Sequence, residues 1–185
     1  MSVGVSAAKK LESDRLKFPA MNVAEILVWR EWLRLHQAEY SALPASWLAY
    51  RATQPGGQPK PGDCFDYNVR IGTGRDPGPG FADNIRELAI MITQFRLDAV
   101  AFKGDAPVIF EVKRDLGPPQ IGQILSYDAI WRRNKITPVD PIMQLVGADF
   151  KENALPLVEE NGIKFDLVPV DFRVLSPYNT TPLTS

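Results

Sequence analysis

Between Phe95 and Asp115 the chain reads FRLDAVAFKGDAPVIFEVKRD, two short apolar runs around a KGDAP turn. Runs of this length, rich in β-branched and aromatic residues and divided by a turn signal, predict two strands, about 95–102 and 107–113. Upstream, Asn22 precedes VAEILVWREWLRLHQAEY. Glu25 stands three positions after Asn22, the spacing of a capping box. Val23, Ile26, Leu27 and Leu33 fall on one stripe, which predicts a helix over about 23–40. Residues 41–63, with several Pro and Gly, read as loop with a short helix around Trp47. CFDYNVRIG predicts a strand over 64–71, and TGRDPGPG (Thr73 to Gly80) a loop. DNIRELAIMIT, 83–93, places Ile85, Leu88, Ala89 and Ile92 on one helical face, with Asp83 as its cap.

Downstream of the hairpin, Pro119 suits the first turn of a helix running toward Lys135. PIMQLVGA (141–148) reads as a buried strand, FKENALPLVEENG as a short helix closed by Gly162, and IKFDLVPV (163–170) as a last strand. This order predicts a mixed α/β fold, one central sheet flanked by helices. Residues 1–20 read as an N-terminal arm, 21–170 as a single domain, and 171–185 as an extended tail.

The hairpin carries three charged residues where apolar ones are expected: Asp98, Glu111 and Lys113. A two-residue turn at Gly104-Asp105 sets Asp98 opposite Glu111. Lys113 then shares their face, and Arg96 faces Lys113. Ala99, Ala101, Val108, Phe110 and Val112 point to the other side, toward a core. Facing like charges cost stability, and desolvating them costs more. A cation between them removes that cost. Two carboxylates completed by carbonyl or water oxygens form a hard-oxygen site suited to Mg²⁺ or Mn²⁺ rather than zinc. Such an ion could activate water and stabilise charge on a phosphate, with Lys113 orienting the water or holding the phosphate. The plainer alternative is a set of edge-strand charges, Asp98 and Glu111 paired with Arg96 and Lys113.

Asp98, then Glu111-Val-Lys113 on a hairpin followed by a helix, resembles the signature of the PD-(D/E)XK nuclease superfamily, with Leu97 where that signature has Pro. Gln123-Ile-Leu-Ser-Tyr127 resembles the Gln-x-x-x-Tyr of the following helix in many members. The resemblance spans most of the chain and is sharpest over 96–131. It implies a restriction-endonuclease-like αβββαβ core. It implies Asp98 and Glu111 as metal ligands, Lys113 as the catalytic lysine, and Gln123 and Tyr127 as supporting catalytic residues. It also implies a glutamate from the first helix, for which Glu25, Glu31 and Glu39 are candidates; Glu25 is accounted for as a cap, and Glu31 is preferred. The implied activity is metal-dependent hydrolysis of DNA.

Composition limits how DNA could be held. In 185 residues, Lys plus Arg is 21 and Asp plus Glu 22, a formal net charge of −1. A nucleic-acid partner therefore needs a local patch. Arg96, Arg114, Arg132, Arg133 and Lys135 are the candidates, the last three clustered at one helix end. Cys64, the single cysteine, allows no internal disulfide and reads as a packing residue. His36, the single histidine, reads as a surface residue, and Trp29 and Trp32 as core or contact residues. The Gly-rich loop lacks the G-x-x-x-x-G-K-[ST] pattern of a phosphate-binding loop. No segment reads as a signal peptide or membrane span, which points to the cytoplasm. A second expectation is a non-catalytic component of a larger assembly, such as a phage particle or a homo-oligomer, with the virion as its location.

Overall fold

The computed structural model describes residues 17–173. A five-stranded mixed sheet in the order β1-β2-β3-β5-β7 runs through the molecule: β1 (Asp66–Ile71), β2 (Phe95–Lys103), β3 (Ala106–Val112), β5 (Ile142–Gly147) and β7 (Lys164–Leu167). The β1-β2-β3 meander is antiparallel, while β3, β5 and β7 are mutually parallel. Five α-helices accompany it: α1 (Val23–His36), α2 (Ala45–Ala52), α3 (Asp83–Thr93), α4 (Pro118–Asn134) and α5 (Leu155–Glu160). The expected order of helix, three strands, helix and strand is present, with α3 inserted between β1 and β2. A two-residue parallel ribbon, β4 (Asp115–Leu116) with β6 (Asp149–Phe150), was not anticipated. Both elements are too short for a periodic signal.

Parallel strands buried on both faces need two cores. On one side α1 lays Ile26, Val28, Trp29 and Trp32 over Ala99, Ala101, Val108, Phe110 and Val112, the five residues predicted to point to a core. Trp29 and Trp32 stack at 4.8 Å and both meet Phe110 edge-on. The stripe expected on α1 is thus rotated: Leu27 and Leu33 are half-buried, and the tryptophans fill the centre. On the other side Trp47 of α2 and Ile121, Ile124, Tyr127 and Trp131 of α4 cover Val69, Ile71, Leu97, Val100 and Ile109. Cys64 packs against the first core and His36 stacks on Trp32 beside Glu39.

Two expectations need correcting here. Phe18, expected in the N-terminal arm, is buried in the first core beside Met21; residues 1–16 and 174–185 lie outside the described residues. Helix α3 forms with Asp83 in its first turn, behind Ala82 as N-cap. Its shared apolar face, Ile85, Leu88 and Ile92, is exposed rather than buried. Periodicity reports which residues share a face, not what covers it. No described helix is long and apolar enough to cross a membrane.

Candidate functional site

The hairpin turn forms as the sequence predicts. Gly104 takes φ +60°, which glycine adopts without strain, and Lys103 pairs with Ala106. This register carries to Ala99–Phe110, one step short of Asp98 and Glu111. There the Asp98 carboxylate accepts the Val112 N–H at 2.8 Å.

A change of face explains why the ladder stops. Leu97 packs in the α4-side core and Ala99 in the α1-side core, although residues two apart on a regular strand share a face. The partner strand shows the same switch between Val69 and Tyr67. Asn68, opposite Asp98 in register, holds φ +56°. Asn is among the few residues that tolerate this region. Asp98 therefore sits where both strands turn over.

Lys113 lies at the centre of a group of acids. Its Nζ is 2.9 Å from Glu111 Oε1, 3.1 Å from Glu25 Oε1 and 3.5 Å from Asp98 Oδ2. It also donates to the Val112 carbonyl at 2.9 Å. Glu25, Asp98 and Glu111 are all buried, whereas the Lys113 side chain is 25% exposed, so solvent meets the cluster at the lysine. Three carboxylates and one ammonium leave two negative charges uncompensated if all are ionised. Burial, opposed by Lys113, pushes Asp98 up to about 6. Burial and the charge of Asp98 push Glu111 up to about 8. Burial works against the charge on Lys113, but Asp98 and Glu111 outweigh it and raise its pKa. Both Glu111 oxygens are buried; Oε1 meets the Lys113 ammonium at 2.9 Å, and Oε2 has no hydrogen-bond partner among the described residues.

The first-helix glutamate in this cluster is Glu25, not Glu31. Glu31 is turned away in a surface pair with Arg34 at 2.7 Å. Glu39 pairs with Lys103 and His36. Glu25 was set aside as a cap, and it does cap: its Oε2 accepts the Asn22 N–H at 2.7 Å. A carboxylate has two oxygens, and the other one reaches Lys113. The capping box fixes the first turn of α1, and so fixes where that oxygen points.

Helix α4 closes the site from the other side. Gln123 donates to the Tyr127 hydroxyl, which donates to the Arg96 carbonyl at 2.8 Å. Burial and then the charge of Glu111 raise the tyrosine's pKa. Tyr127 thereby ties α4 to β2 two residues before Asp98.

The basic residues divide. Arg96 does not face Lys113. It stands opposite Arg70 in the β1–β2 register, and its Nε donates to Asn68 at 2.6 Å. Arg114 is exposed, 3.6 Å from Asp115 and stacked over Phe172 at 4.9 Å. Arg132 is neutralised by Asp128 and Asp140. Arg133 and Lys135, both exposed, lie about 15–18 Å beyond Gln123 along α4, so the cluster at the helix end stands apart from the acids. A cleft of about 720 Å³ lies between Lys17, Tyr40, Gly57, Asp63 and Asn68 and takes in none of the acidic group.

Among the described residues no three His, Cys, Asp or Glu side chains form a ready cage for a metal ion. Asp98 and Glu111 offer hard carboxylate oxygens that could serve an ion as two of its donors. Such a set suits an ion that keeps several waters, as Mg²⁺ does.

No protein-family model matches the chain, and no curated protein matches it. Among solved structures, the crystal structure of a repair endonuclease from Pyrococcus abyssi is similar over 40% of this chain and 33% of its own, at 22% identity and a TM-score of 0.34. The chain thus spans about a third of that structure's length. The mixed five-stranded sheet flanked by helices is compatible with a restriction-endonuclease-like fold.

Proposed function

We propose that the chain is a metal-dependent nuclease of the PD-(D/E)XK type, hydrolysing DNA phosphodiesters at Asp98, Glu111 and Lys113. The observation that carries this is a fully buried Glu111 whose charge partner, a partly exposed lysine, is shared with two further buried acids, Asp98 and Glu25. A structural ion pair has no use for three buried carboxylates around one ammonium, since the unmatched charge is costly to bury. A site that exchanges protons for a cation does.

Asp98 and Glu111 would hold Mg²⁺ or Mn²⁺, with Glu25 engaged by Lys113 rather than by the ion. The ion would polarise the phosphate and neutralise charge developing on it. Lys113, fixed on the Val112 carbonyl and facing solvent, would donate to a non-bridging phosphate oxygen or orient the attacking water. Water oxygen bonds to phosphorus, the ester P–O bond breaks, and the leaving oxygen takes a proton. Tyr127 and Gln123 hold the strand that carries Asp98 and act as positioning residues. Arg114, Arg133 and Lys135 would contact the DNA backbone further out.

The test is incubation of the purified protein with linear, circular and branched DNA, in Mg²⁺ or Mn²⁺ and in EDTA, alongside Glu111→Ala. Cleavage that needs the ion and disappears in a folded Glu111→Ala is expected. Undiminished cleavage by that variant, or none by the parent on any DNA, would sink the reading. The alternative expected from the sequence, an assembly component, drew on the two termini, most of which lie outside the described residues.

A further inference from the structure

Arg70 and Arg96 are paired residues of the β1–β2 ladder, so their side chains stand together on one face. Like charges in that position oppose each other, and among the described residues no carboxylate lies within 4 Å of either. Arg34, Arg51, Arg86, Arg114, Arg132 and Arg173 each have a carboxylate within 4 Å. Arg96 instead holds the neutral Asn68 amide oxygen through Nε, and Arg70 holds the Met91 carbonyl at the end of α3 through one Nη. These bonds aim the two guanidiniums without neutralising them. Each guanidinium has five N–H donors, so most of the set is left for something else. Arg96 is exposed and Arg70 half-buried, so the pair is reachable and partly held.

The place is as telling as the charge. Arg96 is two residues from Asp98, about 6.7 Å along the strand. Asn68 joins the two features, since it faces Asp98 in register and takes its bond from Arg96. Two planar forks with unengaged donors suit the paired oxygens of a phosphate.

We infer that Arg70 and Arg96 form a phosphate clamp that grips the DNA backbone one step away from the phosphate held at Lys113, Asp98 and Glu111. The inference rests on the nuclease reading for the role of the neighbouring site. It adds a residue, Arg70, that neither the motif nor the charge count singles out, and it fixes which side of the cluster the strand passes over. Asn68 is the positioning residue of the clamp.

The test is binding of a fluorescent DNA oligonucleotide in EDTA, where no cleavage intervenes, by the full chain and by Arg70→Gln, Arg96→Gln and the double variant. Arg34→Gln, altered on the outer face of α1, is the control. A methylphosphonate oligonucleotide of the same sequence supplies an uncharged backbone. The double variant should bind about 10- to 100-fold more weakly, with the salt dependence shallower by about one charge. The methylphosphonate probe should show no difference between parent and variant. Equal affinity and equal salt dependence for parent and double variant would overturn the clamp. The nuclease reading is scored separately, by Mg²⁺-dependent cleavage. A parent that binds through this pair but never cleaves keeps the clamp and loses the nuclease. A double variant that cleaves with the parent's KM loses the clamp and keeps the nuclease.

Discussion

In two places the molecule buries acid beside a basic side chain, and it treats them differently. Asp66, at the start of β1, is 3% exposed and meets Arg51 Nε at 2.6 Å and the Trp47 indole N–H at 3.0 Å. Arg51 in turn holds the Gly57 carbonyl at 2.7 Å and pins the loop after α2. Burial raises the Asp66 pKa, and Arg51 opposes the rise. Glu111 is equally buried, but it shares its cation with two other acids, the charge of Asp98 presses on it, and that cation is partly in solvent. Burial alone therefore does not mark a functional acid. An excess of buried acid around one accessible cation does.

The sharpest way to break the comparison is to remove the cation from each acid. Arg51→Met leaves Asp66 buried and unpaired, and should cost about 3–5 kcal/mol in urea denaturation. Lys113→Met should cost less, under about 2 kcal/mol at pH 6 by the same measurement. Asp98 and Glu111 can take up protons there instead, while cleavage is lost. Equal losses of stability would mean that the two places are the same kind of ion pair.

The pH dependence of stability without metal is the next separation. Folded Glu111 keeps its proton up to about 8, while an unfolded glutamate loses it near 4.5. Between these values the folded state binds more protons, so stability falls as pH rises, by up to about 1.4 kcal/mol per unit. Glu111→Gln should flatten the limb between about 6, where Asp98 titrates, and 8. Mg²⁺ binding should strengthen over the same interval, because it must displace that proton. Calorimetry in buffers of different ionisation enthalpy would count the proton. A Glu111→Gln protein with an unaltered limb would show that another group is responsible.

The smallest effect is at the cap. Asn22→Ala removes the acceptor of the Glu25 N–H, and should cost about 1 kcal/mol. It should also lower cleavage severalfold by loosening Glu25, whereas a cap with no link to the cluster would change stability alone.

Much of this arrangement was legible in the sequence. The hairpin register followed from Gly104-Asp105, because turn geometry is local and side-chain alternation carries it along the strand. The placement of Asp98, Glu111 and Lys113 near one another came with it. What was missed has identifiable causes. Arg96 was assigned to the wrong neighbour because alternation was assumed to run unbroken along β2, whereas the strand changes face between Leu97 and Ala99, opposite the positive φ of Asn68. An Asn inside a strand was the available signal. Glu25 was given to the cap because one function seemed to use it up. The exposure of α3 could not be foreseen, since its apolar periodicity is that of any packed helix.

The division of Glu25 between two tasks has a kinetic consequence. One oxygen closes the first turn of α1 and the other touches Lys113. Whatever pulls the carboxylate toward the cluster loosens the bond to the Asn22 N–H, and whatever frays the turn withdraws an acid from the cluster. The amide hydrogen of Asn22 is thus a built-in reporter. Its rate of exchange with deuterated solvent should register the arrival of a cation at a site whose chemistry it never touches.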